Sequence, residues 1–361
     1  MSSFHPLTVS HVERETRDSV VLTFVVPPDL QAAFAFKQGQ YVTLRASIES
    51  VDVRRAYSIC SQSSDLGGSL RVGIKHVADG VMSSFVHAHI KVGNAIDVMP
   101  PEGKFGQLAL THGLVNHSLG IAAGSGITPI LSIIKTTLAS HAQSSFTLIY
   151  GNRATPSVMF KEELALLKDS YPTRLNLIYI MSREPQDMDI FHGRIDRAKC
   201  DLLFDKWLDV SNFDAAFICG PESMMVEAKA ALEAKGMDHS RIKTELFGAA
   251  KQTTTRKVKP ALVGESNQCE VTVVMDGSTR HFKAIKGSQA LLDAGLQAGL
   301  DMRFSCKGGV CSTCRAKVTE GEVEMDVNYA LEDYEVRRGF VLTCQSYCLT
   351  DKVTINFDEE T

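Results

Sequence analysis

The chain has 361 residues, enough for two or three domains, because a single core rarely grows beyond roughly 250–300 residues. With 44% hydrophobic and 22% charged residues it has the composition of a soluble globular protein; its net charge of −4 speaks against a nucleic-acid binder, and no apolar run approaches the ~20 residues that span a bilayer. The N-terminus lacks the basic and apolar regions of a secretory signal, and nine cysteines do not read as a disulfide framework, so a reducing cytoplasm is expected, with thiols used for ligation or catalysis.

Residues 1–110 carry short strands, "LTVSHV", "SVVLTFVV", "QYVTLRA", "RAYSIC" and "SLRVGIKHV", broken by Gly, Pro, Asp and Ser clusters and by one helix, "VMSSFVHAHI". The pattern predicts an antiparallel β-barrel. Where one strand ends, Arg55-Ala56-Tyr57-Ser58 offers a guanidinium for a phosphate, a ring to lie on a flat heterocycle and a hydroxyl for a ring nitrogen, although an ordinary strand could carry the same four residues. Gly80 and Ser83 enter the helix, whose free amides suit a pyrophosphate; a plain serine-capped helix is the alternative.

Residues 111–248 alternate apolar strands with helices: "SLGIAAG" with "ITPILSIIKTTLA", "SFTLIYG" with "SVMFKEELALLKD", "RLNLIYIMS" with "RIDRAKCDLLFDKW", "DAAFICG" with "ESMMVEAKAALEAKG". This predicts an α/β domain whose parallel sheet binds ligands at the carboxyl ends of its strands. "IAAGSGITPI" is a strand, a Gly124-Ser125-Gly126 turn and a helix with Pro129 near its start, a geometry that brings amides against a diphosphate. Cys219-Gly220-Pro221 ends the last strand with a small thiol able to touch a nicotinamide, or simply a buried cysteine before a turn. Ser182 and Arg183 in "MSRE", with Arg153 in "YGNR", follow two neighbouring strands that no acidic residue directly ends, which favours the 2′-phosphate of NADPH; simply solvated surface arginines, with NADH as the donor, are the alternative.

Residues 249–267, small, polar and basic, read as a linker, and 268–361 as a compact α+β module. From Cys269 onward there are 15 acids and 10 bases, a net −5 that leaves about +1 for the rest; the acidic end is either a docking surface for a basic partner or a solvated face. The module contains Cys306-x4-Cys311-x2-Cys314 and, after 29 intervening residues, Cys344, the spacing of a plant-type [2Fe–2S] ligand set. Zinc sites normally use two separated pairs at short spacing, so a two-iron cluster is the stronger reading, with zinc or free thiols as rivals. Gly308, Gly309, Ser312 and Thr313 are small enough to let backbone amides approach sulfur. Cys348 lies outside the spacing and reads as a structural or spare thiol.

Taken in this order, the motifs resemble the ferredoxin–NADP reductase superfamily with a C-terminal ferredoxin domain. R-x-Y-[ST] is matched at Arg55–Ser58, G-x-x-S at Gly80–Ser83, and the nicotinamide motifs at Gly124–Pro129 and Cys219–Pro221. "LIYGNRATPSVMF", "FHGRID", "AFICGPESMM", "CKGGVCSTCRAKV" and "NYALEDYEVRRGFVLTCQ" look most like the reductase subunits of ring-1,2-phenylacetyl-CoA epoxidases, the PaaE type. The resemblance implies a multidomain oxidoreductase: an FAD-binding barrel over 1–110, an NAD(P) domain over 111–248 and a β-grasp [2Fe–2S] ferredoxin domain over 268–361. It implies Tyr57, Ser58 and Cys219 at the redox site, and cofactor contacts from Arg55, Ala56, Lys75, Gly80, Met82, Ser83, Gly124, Thr128, Arg153, Ser182, Arg183, Gly220 and Phe247. Phe247 would stack on the flavin where nicotinamide later sits, or belong to the core. Electrons would pass from NADPH through FAD and the cluster to an oxygenase component, a di-iron enzyme, in phenylacetate breakdown. Steroid hydroxylases and hybrid-cluster proteins are alternative clients, and a redox-sensing or zinc-stabilised module is the non-enzymatic one.

Overall fold

In a computed structural model the described residues are 4–63, 70–107, 117–247 and 267–359. They form two compact units, 4–247 and 267–359. The expected linker at 249–267 lies outside the described residues apart from Asn267.

The first unit opens with β1 (His5–Thr16), β2 (Ser19–Val25), β3 (Tyr41–Ile48), β4 (Val51–Ser58) and β5 (Leu70–Lys75), then α1 (Val81–His89) and β6 (Ala95–Val98). These strands pair antiparallel in the order β4-β3-β6-β1-β2-β5. Alternate residues point inward, so Leu7 and Val9, Leu22 and Phe24, and Val72 and Ile74 share one core with Met82 and Val86 of α1. The sheet closes on itself: Ile59 bridges Val72, and the Cys60 amide donates to the Arg71 carbonyl at 2.9 Å, which joins the ends of β4 and β5. The expected antiparallel barrel is therefore present.

A parallel layer follows, built from β7 (His117–Ala123), α2 (Ile127–Ser140), β8 (Ser145–Asn152), α3 (Lys161–Ser170), β9 (Leu175–Met181), α4 (Arg197–Lys206), β10 (Ala215–Gly220), α5 (Glu222–Ala234) and β11 (Ile242–Leu246). Its order is β11-β10-β7-β8-β9, parallel throughout. The four strand–helix units match the sequence reading. The edge strand β11 gives no such signal, because "IKTEL" has an apolar residue only at each end. Helix α3 also starts later than its apolar pattern suggests: Phe160 sits at φ 58°, a left-handed conformation that interrupts the approach to Lys161.

The second unit contains β12 (Gln268–Met275), β13 (Ser278–Ile285), α6 (Leu291–Gln297), β14 (Arg315–Glu320), β15 (Val323–Met325), α7 (Asp333–Arg337), β16 (Phe340–Leu342), β17 (Ser346–Cys348) and β18 (Lys352–Asn356). A mixed sheet, β13-β12-β18-β14-β16, and the ribbon β15-β17 enclose α6, whose Leu291, Leu292 and Ala294 are buried. The crossing beside α6 is tight: a Cβ on Gly295 would lie 1.9 Å from Met302 Sδ. Cys348 is buried in this core beside Cys269, the position expected of a structural thiol.

Among the described residues no helix is long and apolar enough to cross a membrane.

Candidate functional site

The cysteine loop is shaped by its backbone. Lys307 and Gly309 take positive φ, 53° and 74°, and a side chain at Gly309 would meet the Val327 carbonyl at 2.9 Å, so glycine is required there. The turns bring the thiols together as two pairs. Cys306 and Cys311 Sγ atoms lie 3.1 Å apart, and Cys314 is hydrogen-bonded to Cys344. Cys344 lies on a 3₁₀ turn just past β16, anchored by Thr343, whose amide and hydroxyl both donate to the Cys314 carbonyl, at 3.1 and 3.0 Å.

Donors are aimed at the sulfurs. The Gly308 amide donates to Cys306 Sγ at 3.3 Å, and the Gly309 amide and Gln345 Nε2 reach Cys344 Sγ, the latter at 3.7 Å. The Cys306 thiol is held down to about 6, first by the Cys311 thiol and then by the backbone amides of Gly308, Val310 and Cys311. Among the described residues no three His, Cys, Asp or Glu side chains surround a single ion position. Two thiol pairs ringed by amides fit two bridged irons with two protein ligands each, and a mononuclear tetrahedral ion less well.

On the barrel, strand alternation puts Arg55 and Tyr57 on one face of β4 and Ala56 and Ser58 on the other. Arg55 is exposed, and its Nη1 donates to the Arg54 carbonyl at 2.7 Å. Tyr57 is half-buried, and that burial pushes its hydroxyl well above the usual phenol value. Helix α1 begins at Gly80 without a side-chain cap: Ser83 Oγ turns back to donate to the Gly80 carbonyl at 3.0 Å and accepts from the Val77 amide at 3.2 Å. The first amides of α1 thus stay open, with Met82 packed beneath them in the core. An exposed guanidinium, a half-buried ring and an uncapped helix start are groups that could hold a flavin dinucleotide.

A cleft of about 640 Å³ runs along the carboxyl ends of the parallel strands. Of the predicted residues, Lys75, Gly124, Arg153, Ser182, Gly220 and Phe247 line it. Arg183 is exposed and does not; its amide donates to the Arg153 carbonyl at 2.8 Å, so the two guanidinium-bearing residues sit side by side at the ends of β8 and β9. Nothing in the sequence pointed to Arg194, a second guanidinium on the cleft wall. Close packing sets the floor: a Cβ on Gly126 would fall 2.1 Å from the Cys219 carbonyl oxygen, so only glycine lets this turn lie on the end of β10. Thr128 is buried beneath the turn, and its Oγ1 donates to the Ser125 carbonyl at 3.0 Å.

Tyr57's neighbour Ser58 meets the parallel layer directly. Ser58 Oγ donates to Glu245 Oε2 at 3.2 Å, and Glu245 is the register partner of Cys219 across β10 and β11. Burial raises the Glu245 carboxyl to about 8 against the pull of the Ser58 hydroxyl, and burial followed by the Glu245 charge raises Cys219. Sequence reasoning missed Glu245; the only signal was a charged residue inside a short edge strand that ends just before Phe247.

Comparison with known proteins agrees with this geometry. Family models match the oxidoreductase FAD-binding domain at residues 6–106, the oxidoreductase NAD-binding domain at 121–230 and the 2Fe-2S iron-sulfur cluster binding domain at 273–349. The chain is 45% identical to a component of the 1,2-phenylacetyl-CoA epoxidase of Escherichia coli over 99% of both chains. It is 33% identical to the ferredoxin reductase component of 3-ketosteroid-9-alpha-monooxygenase from Rhodococcus rhodochrous, covering 97% of this chain and 96% of that one. Among solved structures, phthalate dioxygenase reductase shares the fold over 98% of both chains, with a TM-score of 0.58 and 21% identity. Similarity to such relatives over their full length, together with the three domains matched along this chain, makes it an electron-transfer oxidoreductase of the flavin- and nicotinamide-binding [2Fe–2S] reductase family, the one that includes this component of 1,2-phenylacetyl-CoA epoxidase.

Proposed function

We propose that the chain is the reductase component of a multicomponent oxygenase, drawing on NADPH and serving a di-iron epoxidase that acts on phenylacetyl-CoA in the cytoplasm. The observation that carries the client is the 45% identity to an epoxidase component over the full length of both proteins, against 33% to the steroid monooxygenase reductase. FAD and the cluster, when bound, convert a two-electron donor into single electrons.

The chain's own residues divide the remaining work. Arg55 and the amides after Gly80, with Met82 and Ser83, hold the flavin phosphates, and Ala56, Tyr57 and Ser58 orient its ring. Thr128 and Cys219 flank the nicotinamide, Phe247 covers its place on the flavin when no nucleotide is bound, and Lys75, Gly124 and Gly220 receive the diphosphate. Glu245 keeps a proton beside Ser58 up to about pH 8. Cys306, Cys311, Cys314 and Cys344 hold the cluster.

Preference for NADPH rests on Ser182, Arg153 and Arg183 gathered at adjacent strand ends. The acid next to Arg183 is engaged: Glu184 accepts from the Thr155 amide and hydroxyl at 2.6 and 2.7 Å, so it is not free to select a 2′-hydroxyl.

The test is reconstitution. The isolated chain should reduce ferricyanide and cytochrome c with NADPH, and phenylacetyl-CoA should be epoxidised only when the oxygenase component is added. Turnover with a steroid oxygenase but not with the epoxidase would overturn the assignment.

A further inference from the structure

Lys135 sits in the middle of α2 and is only 8% exposed, a position an ammonium tolerates only when paired. Its Nζ donates to the Cys60 carbonyl at 2.9 Å and forms an ion pair with Glu163 of α3. The same Glu163 oxygen accepts from Arg71 Nη1 of β5 at 3.1 Å, and Arg71 Nη2 lies 3.7 Å from Glu13 of β1. Cys60 is gripped from the other side as well, since its amide and thiol both point at the Arg71 carbonyl, at 2.9 and 3.4 Å. One carboxylate therefore ties two helices of the parallel layer to the closing edge of the barrel.

That edge is the continuation of the flavin-motif strand. Cys60 follows Ser58 by two residues, and the Ile59 amide between them is fixed to the Gln40 carbonyl at 2.9 Å. Ser58 must reach Glu245 on the far edge of the parallel sheet, so a slip of the backbone at residue 60 would be felt at the 3.2 Å Ser58–Glu245 contact.

We propose that Lys135, aimed by Glu163, is a positioning residue that sets Ser58 against Glu245 by holding the Cys60 carbonyl. This rests on the reading of Ser58, Glu245 and Cys219 as the redox site.

The decisive experiment is a double-mutant cycle on the full chain carrying its cofactors, with K135M, S58A and K135M/S58A. Met keeps the length of Lys, and Glu163 stays neutralised by Arg71, so K135M should fold. K135M should lower kcat for NADPH-dependent ferricyanide reduction by about tenfold with KM changed less than about twofold, and should cost nothing further once Ser58 is gone. K135R should restore most of the rate, and E163Q, which keeps the lysine but removes what aims it, should shift kcat in the same direction as K135M.

A second readout is independent of turnover. The infrared carbonyl band of protonated Glu245, identified by its loss in E245Q, should disappear at higher pH in K135M, as in S58A, because the carboxylate has lost its hydroxyl donor. Additive costs in the cycle, or an unmoved infrared midpoint in K135M, overturn the proposal. If S58A leaves kcat at the wild-type value, the redox-site reading falls instead, and the infrared midpoint alone decides whether Lys135 places Ser58.

Discussion

Ser58 on the barrel and Glu245 on the outermost parallel strand, 187 residues apart in the chain, share a hydrogen bond of 3.2 Å inside the protein. Burial lifts Glu245 from the ordinary 4.5 to about 8, so the folded protein holds a proton that the unfolded chain releases. The sign follows: this contribution to stability is complete below about pH 4.5, declines as pH rises and is gone above about pH 8. Across that window wild type should lose stability relative to E245Q, by at most about 1.4 kcal/mol for each pH unit. Urea unfolding at pH 5, 7 and 9 checks this; parallel pH profiles for the two proteins would refute it.

Gly126→Ala tests the floor of the nicotinamide cleft. A Cβ 2.1 Å from the Cys219 carbonyl oxygen must push the turn away from β10. A stability loss of about 1–3 kcal/mol is expected, together with a rise in KM for the nucleotide and unchanged cluster absorbance. A G126A protein with wild-type KM would show that the turn does not seat the nucleotide.

Cys344→Ala leaves Cys314 without its partner thiol. The brown absorbance and the electron paramagnetic signal of the reduced cluster should vanish, while flavin content, which depends on the other unit, stays stoichiometric. Cytochrome c reduction should fall by more than about tenfold, and direct ferricyanide reduction should persist. A C344A protein that keeps a [2Fe–2S] signal would remove Cys344 from the ligand set.

Arg183→Ala and Arg153→Ala separate two kinds of nucleotide contact. Arg153 lines the cleft and should serve the part common to both nucleotides in addition to the 2′-phosphate, whereas Arg183 stands outside it and should matter only to the 2′-phosphate. Loss of one charge-assisted contact predicts about 10- to 100-fold weaker NADPH binding in R183A with NADH little changed, and losses for both nucleotides in R153A. Titration of each variant with NADPH and NADH decides it; equal losses in R183A would end the case for NADPH preference.

Elements and their chemistry were legible in the sequence wherever the code is local. Cysteine spacing singled out the four thiols that the fold gathers as two pairs, the run of apolar strands and helices defined the parallel layer, Gly124–Pro129 marked a turn and Arg55–Ser58 a strand end, because each of these signals lies in a short stretch of chain. The rest came from packing between residues far apart in the chain. Glu245 reads as a surface acid in a weak strand until strand pairing puts it beside Cys219 and barrel closure puts it against Ser58. Lys135 likewise sits among apolar neighbours on α2, and only the folded chain brings the Cys60 carbonyl and Glu163 within its reach. Burial and long-range register set the charge state of Glu245 and the partners of Lys135, and no window of sequence contains either quantity.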